Sequence, residues 1–239
     1  MAVPIEAPRF DVKLTRYNLA VLAYFLLLMT TQYALAYKYL LFIPEKWRGV
    51  ATMSTLVFFG FQALFMVAVI PLGMAFIYSW LYLIDIRASV KSLYPIVVTS
   101  LTPFYILLGV MIVYGVFFLE VSLQPTEDVQ RLSEMIRADV ERQVRSGTFP
   151  LSRLGPVAAL LSILLCAYLL YKRLDLRSLV ARQLSQWPSW LGAIDRRANL
   201  GAIIAALIPL TFAGSLFIFQ KLSGLLATNV MEKLLHPPR

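Results

Sequence analysis

Few side chains in this sequence have the chemistry of catalysis or metal binding. The chain holds one cysteine, Cys166, and one histidine, His236. A zinc site needs three or four ligands, and a Cys-His nucleophile pair needs both partners side by side. We therefore expect no metal, no haem or other cofactor and no disulfide within the chain, and we interpret Cys166 as a packing residue.

Sequence motifs of enzymes and the charges of ion-coupled transporters are also missing. The sequence contains no G-x-x-x-x-G-K-[ST], H-E-x-x-H or G-x-S-x-G motif, and no pair of carboxylates lies within an apolar segment. Lys38, Glu120 and Lys221 lie at the ends of apolar segments, where charged groups reach the headgroup layer. We expect no enzymatic activity, and a proton-driven transporter is disfavoured.

The composition is typical of an integral membrane protein. Hydrophobic residues make up 59% of the chain, charged residues 15%, and the mean hydropathy is +0.73. A span needs about 20 apolar residues of helix. Five segments are long enough, at about 18–43, 51–84, 93–119, 155–171 and 200–220. The sequence predicts an all-α, polytopic transmembrane helix bundle that forms a single domain over residues 1–239.

Proline interrupts three of these segments, at Pro71, Pro103 and Pro209. Each proline frees a backbone carbonyl, and in lipid that group must find another donor. The second segment is longer than a bilayer requires, so we expect a span broken at Pro71. Hydroxyls such as those of Thr99 and Ser100 are predicted to repair the kink at Pro103. Ordinary kink repair is favoured over a substrate path along broken helices.

Residues 127–146 predict an amphipathic helix outside the membrane, with Thr126 as N-cap and Gly147 as stop. Its apolar stripe consists of Val129, Leu132, Ile136, Val140 and Val144. The favoured interpretation is that the stripe rests on the protein's own loops or on the bilayer surface. The alternative is a docking site for another protein chain, formed by Leu132, Ile136 and Val140.

A basic interfacial segment, residues 172–199, follows the fourth predicted span. It combines basic residues with apolar positions and with Trp187 and Trp190, which are typical of headgroup depth. One interpretation is a helix lying on anionic lipids. The other is a docking surface for a cytosolic protein, with Arg177 and Arg182 as contacts. The sequence does not separate the two.

The distribution of charge predicts the orientation. Residues 172–197 hold six basic and two acidic residues, a net charge of +4, whereas residues 120–153 hold five basic and six acidic ones. Basic segments stay on the cytoplasmic side. We expect a multi-pass protein of a bacterial inner membrane with its N-terminus in the cytoplasm.

Small residues in the last predicted span favour close helix packing. Gly201 and Ala205 lie four positions apart, as do Ala202 and Ala206. The pattern fits a contact within the bundle or a seam with a second copy of the chain.

The third predicted span resembles the Yip family of five-span membrane proteins over residues 71–115. The resemblance rests on Ser89-Val90-Lys91, on Ser100-Leu101-Thr102-Pro103 and on the number of spans. It implies a non-enzymatic membrane protein, in a family linked in eukaryotes to small-GTPase trafficking. The long segment 172–199 departs from the short link that the family has between its fourth and fifth spans.

These observations predict a non-catalytic integral membrane protein that scaffolds, assembles or regulates a membrane protein complex. The alternative is a transmembrane subunit of a transporter that works with a separate ATPase. The expected partners are the lipid bilayer and other protein subunits, including a second copy of the chain, and no nucleic acid.

Overall fold

The computed structural model describes residues 5–7, 14–124, 126–146, 149–186 and 188–235. Its architecture is all-α, which confirms the predicted fold class. Among these residues, five helical segments are long and apolar enough to cross a membrane, as expected of a multi-pass protein: Leu14–Leu40, Glu45–Leu83, Val90–Phe118, Pro150–Arg173 and Leu200–Ile218.

The elements follow the chain in a simple order. The helices are α1 (Leu14–Leu40), α2 (Glu45–Leu83), α3 (Val90–Ser100), α4 (Thr102–Val113), a π-helical turn (Tyr114–Phe118), α5 (Val129–Arg145), α6 (Pro150–Arg173), α7 (Leu176–Leu184), α8 (Ser189–Ala198) and α9 (Leu200–Leu235). The short strands β1 (Ile5–Glu6) and β2 (Ile86–Arg87) complete the list.

The chain divides into two compact units. The terminal unit comprises Met1–Pro8, Ala75–Ala88 and Cys166–Arg239. The central unit comprises Arg9–Met74 and Ser89–Leu165. The helices α2 and α6 each contribute residues to both units.

Two of the long helices contain a predicted kink proline and continue past it. Helix α2 runs from Glu45 to Leu83 through Pro71, so the helix does not end there, and a bend at Pro71 stays a prediction. Helix α9 likewise continues through Pro209. A single proline removes one hydrogen bond of the helical ladder, and neighbouring groups can satisfy the freed carbonyl. Near Pro209 the hydroxyl of Thr211 donates to the carbonyls of Leu207 and Ile208 at 2.8 and 3.0 Å. Neither is the carbonyl that Pro209 leaves without its regular donor, which is that of Ala205.

The third span is interrupted at Leu101, two residues before Pro103. Leu101 has φ −79° and ψ −3°, and it separates α3 from α4. The carbonyl that proline leaves without its regular donor is that of Thr99. The hydroxyl of Thr102 donates to this carbonyl at 2.7 Å, and that of Ser100 donates to the carbonyl of Val97 at 2.7 Å. Hydroxyls therefore do line this interruption, but Thr102 rather than Thr99 or Ser100 satisfies the freed carbonyl.

A π-helical turn ends the third span and lies very close to α1. The amide of Leu119 donates to the carbonyl of Tyr114 at 2.8 Å, which is the spacing of a π-turn. A Cβ added at Gly115 would lie 3.0 Å from the carbonyl carbon of Ala34. A side chain at position 115 would require the backbone of α1 at Ala34 to move away by a few tenths of an ångström.

Helices α1, α2 and α4 form the core of the central unit. Tyr24, Leu28 and Ala63 are buried together there. Polar groups add contacts between helices, because the hydroxyl of Tyr105 donates to the carbonyl of Ala20 at 2.9 Å and that of Thr31 lies 3.3 Å from the carbonyl of Leu108. In lipid such bonds satisfy hydroxyls that have no water to bind.

The terminal unit is built on α7 and α9. A Cβ at Gly201 would lie 2.8 Å from Cα of Arg177, so the backbones of these two helices touch. Ala205 is also buried, which places the predicted ridge of Gly201 and Ala205 in a contact within the bundle. Ala202 is half-buried and Ala206 exposed. In the same unit β1 pairs in parallel with β2.

Candidate functional site

Helix α5 lies outside the five candidate spans, as the sequence predicts, but it begins later than expected. Asp128 is its N-cap, and its Oδ1 accepts hydrogen bonds from the amides of Gln130 and Arg131 at 2.9 and 3.3 Å. The prediction of Thr126 as N-cap is wrong. Asp is preferred over Thr at the N-cap, and its negative charge also complements the helix dipole. Gly147, the predicted stop, lies outside the described residues, and Ser146 is the C-cap.

A buried carboxylate holds α5 against the first span. Asp139 is only 3% exposed. Its Oδ2 accepts a hydrogen bond from the hydroxyl of Tyr39 at 3.0 Å and another from Nε2 of Gln143 at 2.9 Å. Arg142 Nη2 lies 2.8 Å from Oδ1. A buried carboxylate is tolerated when it is paired and hydrogen-bonded in this way.

The inward face of α5 therefore differs from the predicted apolar stripe. Leu132 is buried, with 3% exposure, and Ile136 is half-buried. Val140 and Val144, however, are 41% and 44% exposed. Compared with the orientation predicted from the apolar stripe, α5 is rotated about its axis, so that Asp139 and Leu132 both face the protein. Hydrophobic periodicity could not reveal this rotation, because it assigns every carboxylate to the solvent side.

The outward face of α5 carries charges of both signs. Arg137 and Glu141 form an ion pair at 3.1 Å, and Arg145 lies 3.9 Å from Glu141. The side chains of the two arginines are more than four-fifths exposed, at 83% and 84%. Such exposed pairs contribute little to folding stability. They are open to a partner, together with Val140 and Val144.

Helix α7 places its two predicted contact residues on its open side. Arg177 and Arg182 are exposed, whereas Leu176 and Leu179 are buried in the terminal unit. The apolar face of α7 thus packs on its own chain, and the arginines remain available to anionic headgroups or to a protein. Trp190 is 61% exposed, and Trp187 lies outside the described residues.

A cavity of about 300 Å³ lies in the central unit beside α5. It is lined by Gln32, Leu35, Ala36, Tyr39, Phe59, Leu119, Val140, Gln143 and Phe149. Oε1 of Gln32 is buried and accepts no hydrogen bond from any described residue. Sequence reasoning missed this cavity, because its lining comes from five separate stretches of the chain.

The described residues offer neither a metal site nor a reactive cysteine-histidine pair. Across the described ranges, no group of three or more His, Cys, Asp or Glu side chains could hold a metal ion. Cys166 is buried, consistent with packing. His236 lies outside the described residues.

Comparison with protein families, curated proteins and solved structures finds no match to this chain. The resemblance to the Yip family stays a prediction.

Proposed function

We propose that this chain is a non-catalytic membrane protein that scaffolds, assembles or regulates a membrane protein complex, with α5 as its docking element. One observation carries the proposal. The hydrogen bond from Tyr39 to Asp139 fixes an extramembrane helix against a membrane span, with its charged face outward. The resemblance to the Yip family is consistent with a non-enzymatic role.

A helix held in place binds a partner at a lower entropic cost than a flexible segment does. The exposed Arg137, Glu141 and Arg145 offer charges of both signs, and Val140 and Val144 add an apolar strip beside them. This mixture is typical of a protein interface with a small apolar centre and a polar rim. The favoured partner is a protein surface of complementary charge.

The proposed location is a bacterial inner membrane with the N-terminus in the cytoplasm. Its support is the net charge of +4 over residues 172–197. In this orientation α5 docks its partner on the outer side of the membrane.

Site-specific photocrosslinking tests the docking role. A photoreactive residue is introduced at Arg137 of α5 and, as a control, at Phe61 of α2, which is 70% exposed on an apolar helix. Both proteins are irradiated in cells and purified in mild detergent. The proposal expects a discrete protein adduct at position 137 and only lipid or diffuse adducts at position 61.

A substitution on the helix face separates docking from folding. Val144→Asp places a charge on an exposed position and should abolish the adduct at position 137 while the protein stays monodisperse. Ile136→Asp, at a half-buried position, should also weaken the fold. An undiminished adduct with Val144→Asp would contradict docking through this face.

The alternative function, a transport subunit that works with an ATPase, would use α7. Its support is the exposure of Arg177 and Arg182 on a helix whose other face is buried. A photoreactive residue at Arg182 that captures a nucleotide-binding subunit would favour this alternative over the scaffold.

A further inference from the structure

The start of α7 lies at the membrane edge of the terminal unit. A Cβ added at Gly201 would lie 2.8 Å from Cα of Arg177. Gly201 is the second residue of the candidate span Leu200–Ile218. Close to the end of α6, the hydroxyl of Tyr171 accepts a hydrogen bond from Nδ2 of Asn199 at 3.0 Å. The end of one candidate span, the start of the next and the start of α7 therefore lie at the same depth.

The whole of α7 stays close to that depth. Helix α6 ends at Arg173, and the left-handed backbone of Asp175, with φ 50°, turns the chain into α7 at once. Arg182 lies five residues after Arg177, which is about 7.5 Å along a helix. The headgroup layer of one leaflet is roughly 5–7 Å thick. Whichever way the helix axis points, the three arginines therefore remain within reach of the headgroups.

The apolar face of α7 is already covered by its own chain. Leu176, Leu179 and Val180 are at most 4% exposed. An ordinary interfacial helix instead buries such a face at the boundary between headgroups and acyl chains. The apolar face of α7 is thus not free to enter lipid, and any contact with the membrane must come from its exposed polar face.

The exposed side of this segment has positive charge that the protein does not neutralise. Arg173, Arg177 and Arg182 are exposed, and none of their guanidinium groups forms an ion pair with a described residue. Asp175 is the one acid in the sequence between positions 172 and 186. Four basic residues minus this acid give the segment a net charge of +3.

The elements that pack on α7 do not balance this charge. Strand β1 contacts α7 and contributes the acid Glu6, but Arg87 of β2 lies opposite Glu6 in the strand pair. By sequence α8 adds Asp195, Arg196 and Arg197, a further net charge of +1. The surface therefore calls for an anionic partner.

The phosphate of a membrane lipid is the anion found at this depth. Guanidinium groups donate paired hydrogen bonds to phosphate oxygens, and each basic residue at a membrane surface raises the affinity for anionic lipid about fivefold. Trp190 of α8 is 61% exposed, as is typical of headgroup depth. We propose that Arg173, Arg177 and Arg182 form a binding site for the headgroups of anionic glycerophospholipids, held by charge without insertion of α7 into the acyl chains.

Photolabelling of the full chain tests this proposal, which is independent of the docking role of α5. The protein is reconstituted in phosphatidylcholine nanodiscs with a small fraction of phosphatidylglycerol that has a diazirine beside the carboxyl group of one acyl chain. A parallel sample contains phosphatidylcholine with the same diazirine. Labelled peptides are quantified by mass spectrometry.

The two probes should differ only while charges act over a distance. In about 0.1 M salt, where the Debye length is about 10 Å, we expect the phosphatidylglycerol probe to label residues 168–186 at least about fivefold more than the phosphatidylcholine probe. In about 1 M salt the Debye length falls to about 3 Å, and the preference should fall below about twofold.

Two triple variants that lose the same charge make the experiment specific. Arg173→Gln, Arg177→Gln and Arg182→Gln together should remove the preference for phosphatidylglycerol. Lys46→Gln, Arg131→Gln and Arg153→Gln remove three charges from exposed positions of the central unit and should leave the preference at residues 168–186 unchanged. If the first triple variant does not fold, Arg182→Gln alone serves instead and should lower the preference by up to about fivefold.

Several results would overturn the proposal. Equal labelling by the two probes in low salt would leave the arginines to a protein partner. A preference that survives high salt would show that α7 inserts apolar side chains. Inorganic phosphate that displaces the lipid probe better than chloride at equal ionic strength would show a site for a soluble anion. Loss of the preference in the central-unit variant would show that it follows net charge alone.

Discussion

The hydroxyl of Tyr39 donates a 3.0 Å hydrogen bond to Oδ2 of Asp139, and so joins the last turn of the first span to a helix outside the candidate spans. Asp139 is buried, while its partner Arg142 is mostly exposed. Solvent screens the exposed arginine, so its ion pair with Asp139 is weak. The attachment of α5 to the first span therefore depends on the uncharged donor Tyr39 as much as on this ion pair.

We expect Tyr39→Phe to lower the free energy of local opening of α5 by about 1.5–3 kcal/mol, because one hydrogen bond to a charged group is lost. Asp139→Ala should cost at least as much, because it removes the acceptor of both Tyr39 and Gln143. Amide hydrogen exchange over residues 129–145 measures both changes. Glu134→Ala, an exposed position on the same helix, is the control. Unchanged exchange in Asp139→Ala would show that other contacts hold α5.

The hydroxyl of Thr102 should matter only because of Pro103. We expect Thr102→Val to destabilise the native protein by about 1 kcal/mol, since the carbonyl of Thr99 then loses its donor in lipid. In a Pro103→Ala background the same change should cost less, because the new amide at position 103 can donate to Thr99. Thermal unfolding in nanodiscs is measured for the two single variants and the double variant. The difference between the cost of the double variant and the sum of the single costs is the coupling energy between Thr102 and Pro103.

Thr30→Val is the matched control for that measurement. The hydroxyl of Thr30 also donates to a helical carbonyl, that of Leu26, at 2.8 Å. That carbonyl is within a regular helix and has the backbone amide of Thr30 as its ordinary donor. Thr30→Val should therefore have little effect. Purely additive costs for Thr102→Val and Pro103→Ala would show that the hydroxyl does not replace the missing amide.

Gly201 should not tolerate a side chain. We expect Gly201→Ala to destabilise the terminal unit by about 1–3 kcal/mol, because its Cβ would lie 2.8 Å from Cα of Arg177. Gly214→Ala, on the same helix with nothing within 4 Å of its Cβ, should be neutral or stabilise by up to about 1 kcal/mol. Thermal unfolding compares the two variants. Equal stabilities would mean that α7 can move away from α9.

Cysteine labelling in intact cells checks the proposed orientation. Cys166 is first replaced by Ala, and single cysteines are then placed at Ser185 and Ser133, both exposed. The positive charge of residues 172–197 predicts that an impermeant thiol reagent labels position 133 and not position 185. The opposite pattern would invert the orientation. Labelling after cell lysis shows that both thiols are reactive.

The sequence was sufficient to predict the helical spans, because each has a hydrophobic stretch long enough for a bilayer. It did not predict the start of α2 at Glu45, six residues before the apolar run, since a helix continues through polar residues beyond the hydrocarbon. The π-helical turn at Tyr114–Phe118 was also missed. Its backbone differs from an α-helix by one hydrogen-bond register, and no residue type specifies that change.

The candidate site was less predictable than the fold. Periodicity located α5 but assigned Asp139 to its solvent face, because a pattern of polar and apolar residues contains no information about a distant tyrosine. The cavity escaped prediction for the same reason. Its lining residue Phe59 and the unpaired amide oxygen of Gln32 belong to separate spans, and only tertiary packing brings such positions together.

The parallel pairing of β1 with β2 has a consequence for the order of events during synthesis. The amide of Ile5 bonds the carbonyl of Asp85, and that of Ala7 bonds the carbonyl of Arg87. Ribosomes add about 5–20 residues per second, so synthesis of the chain between β1 and β2, which includes the first two spans, takes roughly 4–16 seconds. During that interval the amides of Ile5 and Ala7 have not yet met their acceptors in β2, and they can bind chaperones or other emerging chains.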